Sequence, residues 1–121
     1  MAKIRMITVS ISPLESDIIT TLISGYATID KAGNFASCAD AERSLSEITP
    51  DLILVGLNYA EIDAVAHRLL ILAPFAKLVA TPRDVGGAYL YEAGGHRVDI
   101  SDASSREFAQ AILGFEPNSN I

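Results

Sequence analysis

Four hydroxyls stand where apolar runs of this chain give out: Ser10 and Ser12 after Ile4–Val9, Thr81 at the end of Lys77–Thr81, and Ser101 after Arg97–Ile100. Hydroxyl-rich loops beside a helix N-terminus hold anions, because main-chain N–H groups and the helix dipole point at the same spot. A small anion is one chemistry this set offers. The plainer role, which takes precedence, is that Ser12 caps a helix while the others bond to neighbouring backbone. The remaining reactive types offer less. His67 and His96 lack any partner at metal-ligand spacing, and His67 falls on the polar edge of a helix, so both read as solvated. Cys38 lies near a helix start, where a dipole would lower its thiol pKa, but Asp40 and Glu42 oppose that; it reads as a small, inert residue. Gly86-Gly87 and Gly94-Gly95 are turn chemistry and flexibility, since neither belongs to a G-x-G-x-x-G or Gly-Lys-Ser/Thr loop. No G-x-S-x-G elbow and no H-E-x-x-H pair occurs. Asp40, Glu42, Glu61 and Asp63 read as solvated helix faces. The expectation is a protein that is not an enzyme, with no catalytic residue, cofactor or metal ligand.

Composition narrows the partners. A formal charge of −6 and a pI near 4.7 repel phosphate backbones and anionic lipid, so neither nucleic acid nor a membrane surface is expected as a partner. With 121 residues, half of them hydrophobic, the chain suffices for one domain with a real core. Cys38 is the only cysteine, which suits a reducing compartment, and no export signal follows Met1, so cytoplasmic location is expected. The longest apolar run, Leu69–Ala76, holds Pro74 and is far shorter than the roughly 20 residues of a membrane span.

The elements that must position these residues alternate. Ile4–Val9 predicts a strand. Ser12-Pro13-Leu14-Glu15 then gives an N-cap, a first-turn proline and a capping-box glutamate, with Leu14, Ile18, Ile19, Leu22 and Ile23 on one helical face and Gly25 as a left-handed cap. A strand within Thr28–Ala36 and a helix over Ala39–Ile48 follow, the latter burying Ala41, Leu45 and Ile48. Leu52–Leu57 is apolar without alternation, as in a central strand covered on both faces. Ile62, Val65, Ala66, Leu69, Leu70 and Ala73 mark a third helix, ended by Pro74, and Lys77–Thr81 a fourth strand. Asp84–Ala93 reads as a fourth helix weakened by two interior glycines, Arg97–Ile100 as a fifth strand, and Ser104-Ser105-Arg106-Glu107 as the cap of a fifth helix carrying Phe108, Ala111, Ile112 and Phe115. This pattern predicts an α/β, doubly wound, five-stranded parallel sheet with five flanking helices. The domain spans 1–115 and a linker-like tail 116–121. Sites in such folds lie at the carboxyl ends of the strands.

Three stretches in this order resemble the receiver domains of two-component response regulators: Val9-Ser10-Ile11-Ser12-Pro13-Leu14, Pro50 through Asn58, and Glu92-Ala93-Gly94 through Ser101-Asp102-Ala103-Ser104. The resemblance implies a flavodoxin-like strand order 2-1-3-4-5. It also implies a phosphorylation pocket, which this sequence empties. The family's acidic, magnesium-holding pair falls on Ser10 and Ile11, its acceptor aspartate on Gly56, its lysine on Ser101 and its aromatic switch on Val98; Thr81 matches its threonine or serine. Phosphoryl transfer needs a nucleophile and a hard cation held by oxygen ligands, so the resemblance is to a degenerate pseudo-receiver. Losing packed carboxylates favours a stable, metal-indifferent fold.

The expected function is therefore phosphorylation-independent signalling through a protein partner. The expected surface is the face of helix four, strand five and helix five, with Tyr89, Tyr91, Arg97, Asp99, Arg106 and Phe108, which would also serve a homodimer. The alternative is a small-molecule or anion sensor using the hydroxyl-lined pocket at Ser10, Gly56 and Thr81.

Overall fold

The structure, a computed structural model, describes residues 2–93 and 96–113. Strand β1 (Ala2–Val9) turns through Ser10–Ser12 into α1 (Pro13–Ser24). The start of α1 is set by chemistry visible in sequence. The Ser12 hydroxyl accepts from the Glu15 N–H at 3.2 Å, and Pro13 takes the first helical position, where no donor is missed. Strand β2 (Ala27–Phe35), α2 (Cys38–Ser44), β3 (Leu52–Val55), α3 (Tyr59–Leu72) and β4 (Lys77–Ala80) follow. The chain then departs from strict alternation, with β5 (Tyr89–Glu92), β6 (His96–Asp99) and α4 (Ser105–Leu113).

The sheet order is β2-β1-β3-β4-β5-β6. The first four strands are parallel, and β5 is antiparallel to both neighbours. Among the described residues this is a six-stranded mixed sheet with four helices, an α/β fold but not five parallel strands with five helices. The expected fourth helix over Asp84–Ala93 is the source of the difference. Gly86 and Gly87 take φ +71 and +85, the left-handed region that ends a helix rather than continues it. Beyond them, Tyr89-Leu90-Tyr91 alternates: Leu90 packs on one side of the sheet and Tyr91 on the other. The chain therefore turns straight back beside β4 instead of crossing over. The strand expected at Arg97–Ile100 exists as β6 and runs in the direction of β1 to β4, displaced one place outward by β5.

Two apolar layers hold the sheet. Ile7, Val9, Ile53, Val55 and Leu78 meet Ala41 of α2 and Ile62 and Leu69 of α3; Met6, Leu52, Leu54, Val79 and Leu90 meet Ile19 and Ile23 of α1 and Phe108 and Ile112 of α4. All four residues of β3 are buried, alternate ones in opposite layers, as the unbroken apolar run required. Burial of each such side chain is worth about 1.5–3 kcal/mol. Smaller departures occur at helix edges. In α1 the buried set is Ser16, Ile19 and Ile23, which leaves Leu14 71 % and Ile18 52 % exposed. Gly25 is right-handed, at φ −75, because a bond from Tyr26 N–H to Ile23 O closes the last turn without a left-handed residue. Helix α2 stops at Ser44, short of Ile48. The Ser104 cap holds: its hydroxyl accepts from Glu107 N–H at 3.2 Å while its own N–H donates to Glu107 Oε1 at 3.0 Å. Phe115, Gly94-Gly95 and the tail 116–121 lie outside the described residues. Among those described, no helix is long and apolar enough to cross a membrane.

Candidate functional site

In an open parallel sheet the ligand crevice opens where strand order reverses, here between β1 and β3. Ser10 leaves β1 at φ +56, uncommon for a residue with a side chain. Its N–H donates to Phe35 O at 2.8 Å and its hydroxyl to Ala36 O at 3.3 Å, which ties the turn to the end of β2. This turn lies against the end of β3. A Cβ on Gly56 would sit 2.9 Å from Ser10 O and 3.1 Å from Ile11 Cα, both main-chain atoms that cannot swing aside. Gly56 is thus a backbone crossing that admits no side chain, as well as a position without a nucleophile.

The mouth of the crevice is covered by Arg83, from the loop after β4. Its Nη2 donates to Ser10 O and Ser10 Oγ, each at 2.9 Å, and to Gly56 O at 2.6 Å; its Nε donates to Gly56 O at 3.0 Å. Arg83 N–H donates to Leu57 O at 3.0 Å, so the loop carrying the guanidinium is itself pinned to the end of β3. The residue is exposed overall, and its head lies across the crevice as a cover. The permanently charged planar fork thus places a cation on the carbonyl oxygens of Ser10 and Gly56 as part of the chain itself.

The other expected pocket residues divide. Thr81 Oγ1 donates to Glu15 Oε2 at 2.9 Å, joining the end of β4 to the first turn of α1. Ile11 is half-buried against the α1 and α4 layer. Ser101 serves the β5–β6 hairpin: its Oγ accepts from Ala88 N–H at 3.0 Å and donates to Asp99 Oδ1 at 2.6 Å. It also fills the space beside Gly87, where a Cβ would lie 2.6 Å from Ser101 Oγ. The bonds from the Ser101 hydroxyl and N–H hold the Asp99 carboxyl below the usual carboxylate range.

The expected interaction face is also rearranged. Tyr89, Tyr91 and Arg97 turn toward α3. The Tyr91 hydroxyl donates to Asp63, and Arg97 Nη1 donates to Asp63 Oδ1 at 3.2 Å. The Arg97 guanidinium carbon lies 5.8 Å and 5.3 Å from the ring centres of Tyr59 and Tyr89. Burial, and then the bond to Asp63, push the Tyr91 phenol up to about 12. Tyr91 is largely buried, though it lines the groove beside α3, and Phe108 belongs to the α1 and α4 layer; Val98, Asp99 and Arg106 are exposed. A half-open groove of about 750 Å³ runs beside this cluster, floored by Leu70, Ile71, Pro74 and Ala93. Cys38 is half-buried, and burial followed by Glu42 pushes its thiol up. Among the described residues no three of His, Cys, Asp and Glu gather as metal ligands.

Arg83 and Asp63 carry more of the geometry than the sequence reading assigned them. The signal for Arg83 was its place: a basic residue two positions beyond Thr81, at the sheet edge where the pocket was expected. Asp63, read as solvated, is the carboxylate on which the hairpin closes. The chain matches no family model, no curated protein and no solved structure.

Proposed function

We propose that this chain is a receiver-like domain that takes no phosphoryl group and signals through contact with other proteins. The observation that carries the reading is the covered crevice. At the strand-order reversal, where a ligand would enter, Arg83 spans Ser10 and Gly56, and Gly56 has no room for an acceptor side chain. An in-line transfer needs a nucleophile and a cation-held phosphoryl group at one point. Here the nucleophile is missing and the cation is replaced by a fixed guanidinium.

Protein contact is supported by large apolar side chains left outside, among them Ile71 at 63 % exposure on the α3 groove and, away from that groove, Phe75 at 97 %. The anion-sensing alternative draws less support. An anion at the crevice would meet Glu15 and the carbonyls of Ser10 and Gly56, with Arg83 already turned to those carbonyls. Incubation with acetyl phosphate, followed by intact-protein mass spectrometry, tests the reading: an unmodified mass is expected, and a hydroxylamine-labile phosphoryl adduct would overturn it.

A further inference from the structure

The sheet has two outer edges, and they differ. At one, β2 carries a bulge: Met6 pairs with Lys31 and Ile7 with Gly33, leaving Ala32 over. Such irregularities spoil an edge for further pairing. At the other, β6 pairs with β5 without a break and all four of its residues are exposed. Among the described residues no strand lies beyond it.

One hydrogen bond fixes which main-chain groups of β6 face outward. Ile100 N–H donates to Ala88 O at 2.9 Å. By the period of two, Val98 and His96 also turn their N–H and C=O toward β5, while Arg97 and Asp99 turn theirs to the open edge. An added antiparallel strand must set outward-facing residues opposite one another. For a second copy related by a twofold axis, Arg97 can then oppose Arg97, Asp99 can oppose Asp99, or Arg97 can oppose Asp99. The first two put like charges directly across the seam, which is destabilising. The third puts opposite charges together on both sides of the axis. It also brings Val98, 54 % exposed, against its own symmetry mate in the non-hydrogen-bonded pair, where side chains are closest.

We propose that this chain self-associates edge to edge through β6, antiparallel, with Arg97 of each copy opposite Asp99 of the other and Val98 on the axis. The segment His96-Arg97-Val98-Asp99 is self-complementary in backbone parity, charge and apolar contact at once, and only in this register. The twofold arrangement closes on itself and leaves no growing edge at β6. Within one copy Arg97 already meets Asp63 and the Tyr59 and Tyr89 rings and Asp99 meets Ser101, so the charge pairing across the seam adds to these contacts and is not preformed by them. The inference rests on the sheet edge alone and stands independently of the receiver-like reading. The seam is short, so a dissociation constant of roughly 0.1–1 mM is expected.

The test is cross-linking with charge reversal. In a Cys38→Ser background, Val98→Cys is expected to form a disulfide-linked dimer under mild oxidation, since directly opposed residues in this register meet disulfide geometry. Adding Asp99→Arg, or separately Arg97→Asp, should lower the yield several-fold. An equimolar mixture of the two reversed proteins should restore it, because each then faces its complement. In the wild type, amide exchange at Arg97 and Asp99 should slow as concentration rises toward about 1 mM, with little change at His96 and Val98. Cross-linking insensitive to charge reversal, or folded reversed variants whose mixture fails to recover, would overturn the proposal. If a reversed variant does not fold, the wild-type exchange decides: rates at Arg97 and Asp99 independent of concentration would overturn it.

Discussion

At Gly56 and Arg83 the chemistry of the crevice is decided by a few tenths of an ångström. A methyl group on Gly56 would press on Ser10 O and Ile11 Cα, so Gly56→Ala is expected to cost about 1–3 kcal/mol in urea unfolding, as forced backbone shifts do. Gly56→Asp would supply the missing carboxylate without room for it, and should be less stable still rather than newly competent. Arg83→Ala removes charge-assisted bonds to two carbonyls that water can reach, so a loss of about 1 kcal/mol is expected. Arg83→Lys should not restore it, because a single ammonium cannot bridge Ser10 and Gly56 as the planar fork does. Thermal midpoints of the wild type, Arg83→Ala and Arg83→Lys check this. The vacancy at Gly56 was legible in sequence, since residue type alone removes the nucleophile. The crossing that forbids a side chain was not, because it depends on the +56° φ of Ser10, and nothing in a serine announces that.

The elements were legible where periodicity and caps agreed. The Ser12 and Ser104 caps, the doubly buried β3 and the α3 stripe each follow from local rules. The β5–β6 hairpin escaped because Asp84–Ala93 is long enough for a helix between two strands, and its two glycines read as weakening that helix, not as ending it. The deciding fact is non-local: Tyr91 finds Asp63 on α3, and Leu90 finds the α1 and α4 layer. That closure makes a prediction. Tyr91→Phe should lose about 0.5–1.5 kcal/mol near neutral pH through its bond to Asp63. The phenol's folded value is raised to about 12 from an ordinary value near 10, so the bond's contribution is complete below about pH 10 and lost as pH rises toward 12. The gap in melting temperature between wild type and Tyr91→Phe should therefore close across that interval. A gap constant to pH 12 would mean that the phenol does not carry the contact.

For the molecule as a whole, four parallel strands in the order β2-β1-β3-β4 make the frame of a doubly wound fold, and the hairpin replaces its last crossover. The face of helix four, strand five and helix five expected from the receiver resemblance does not exist in that form, because no helix forms there and Phe108 is core. What the replacement leaves is an open β6 edge and an apolar groove beside α3, both reached from outside. On the proposed reading the crevice carries its own cation, Arg83, and accepts neither metal nor phosphoryl group. An amide NMR titration of the isotope-labelled protein with magnesium and beryllofluoride, the latter in place of an aspartyl phosphate, tests that most directly: resonances of Ser10, Ile11, Gly56 and Thr81 are predicted to stay unmoved, and saturable shifts at those residues would contradict it.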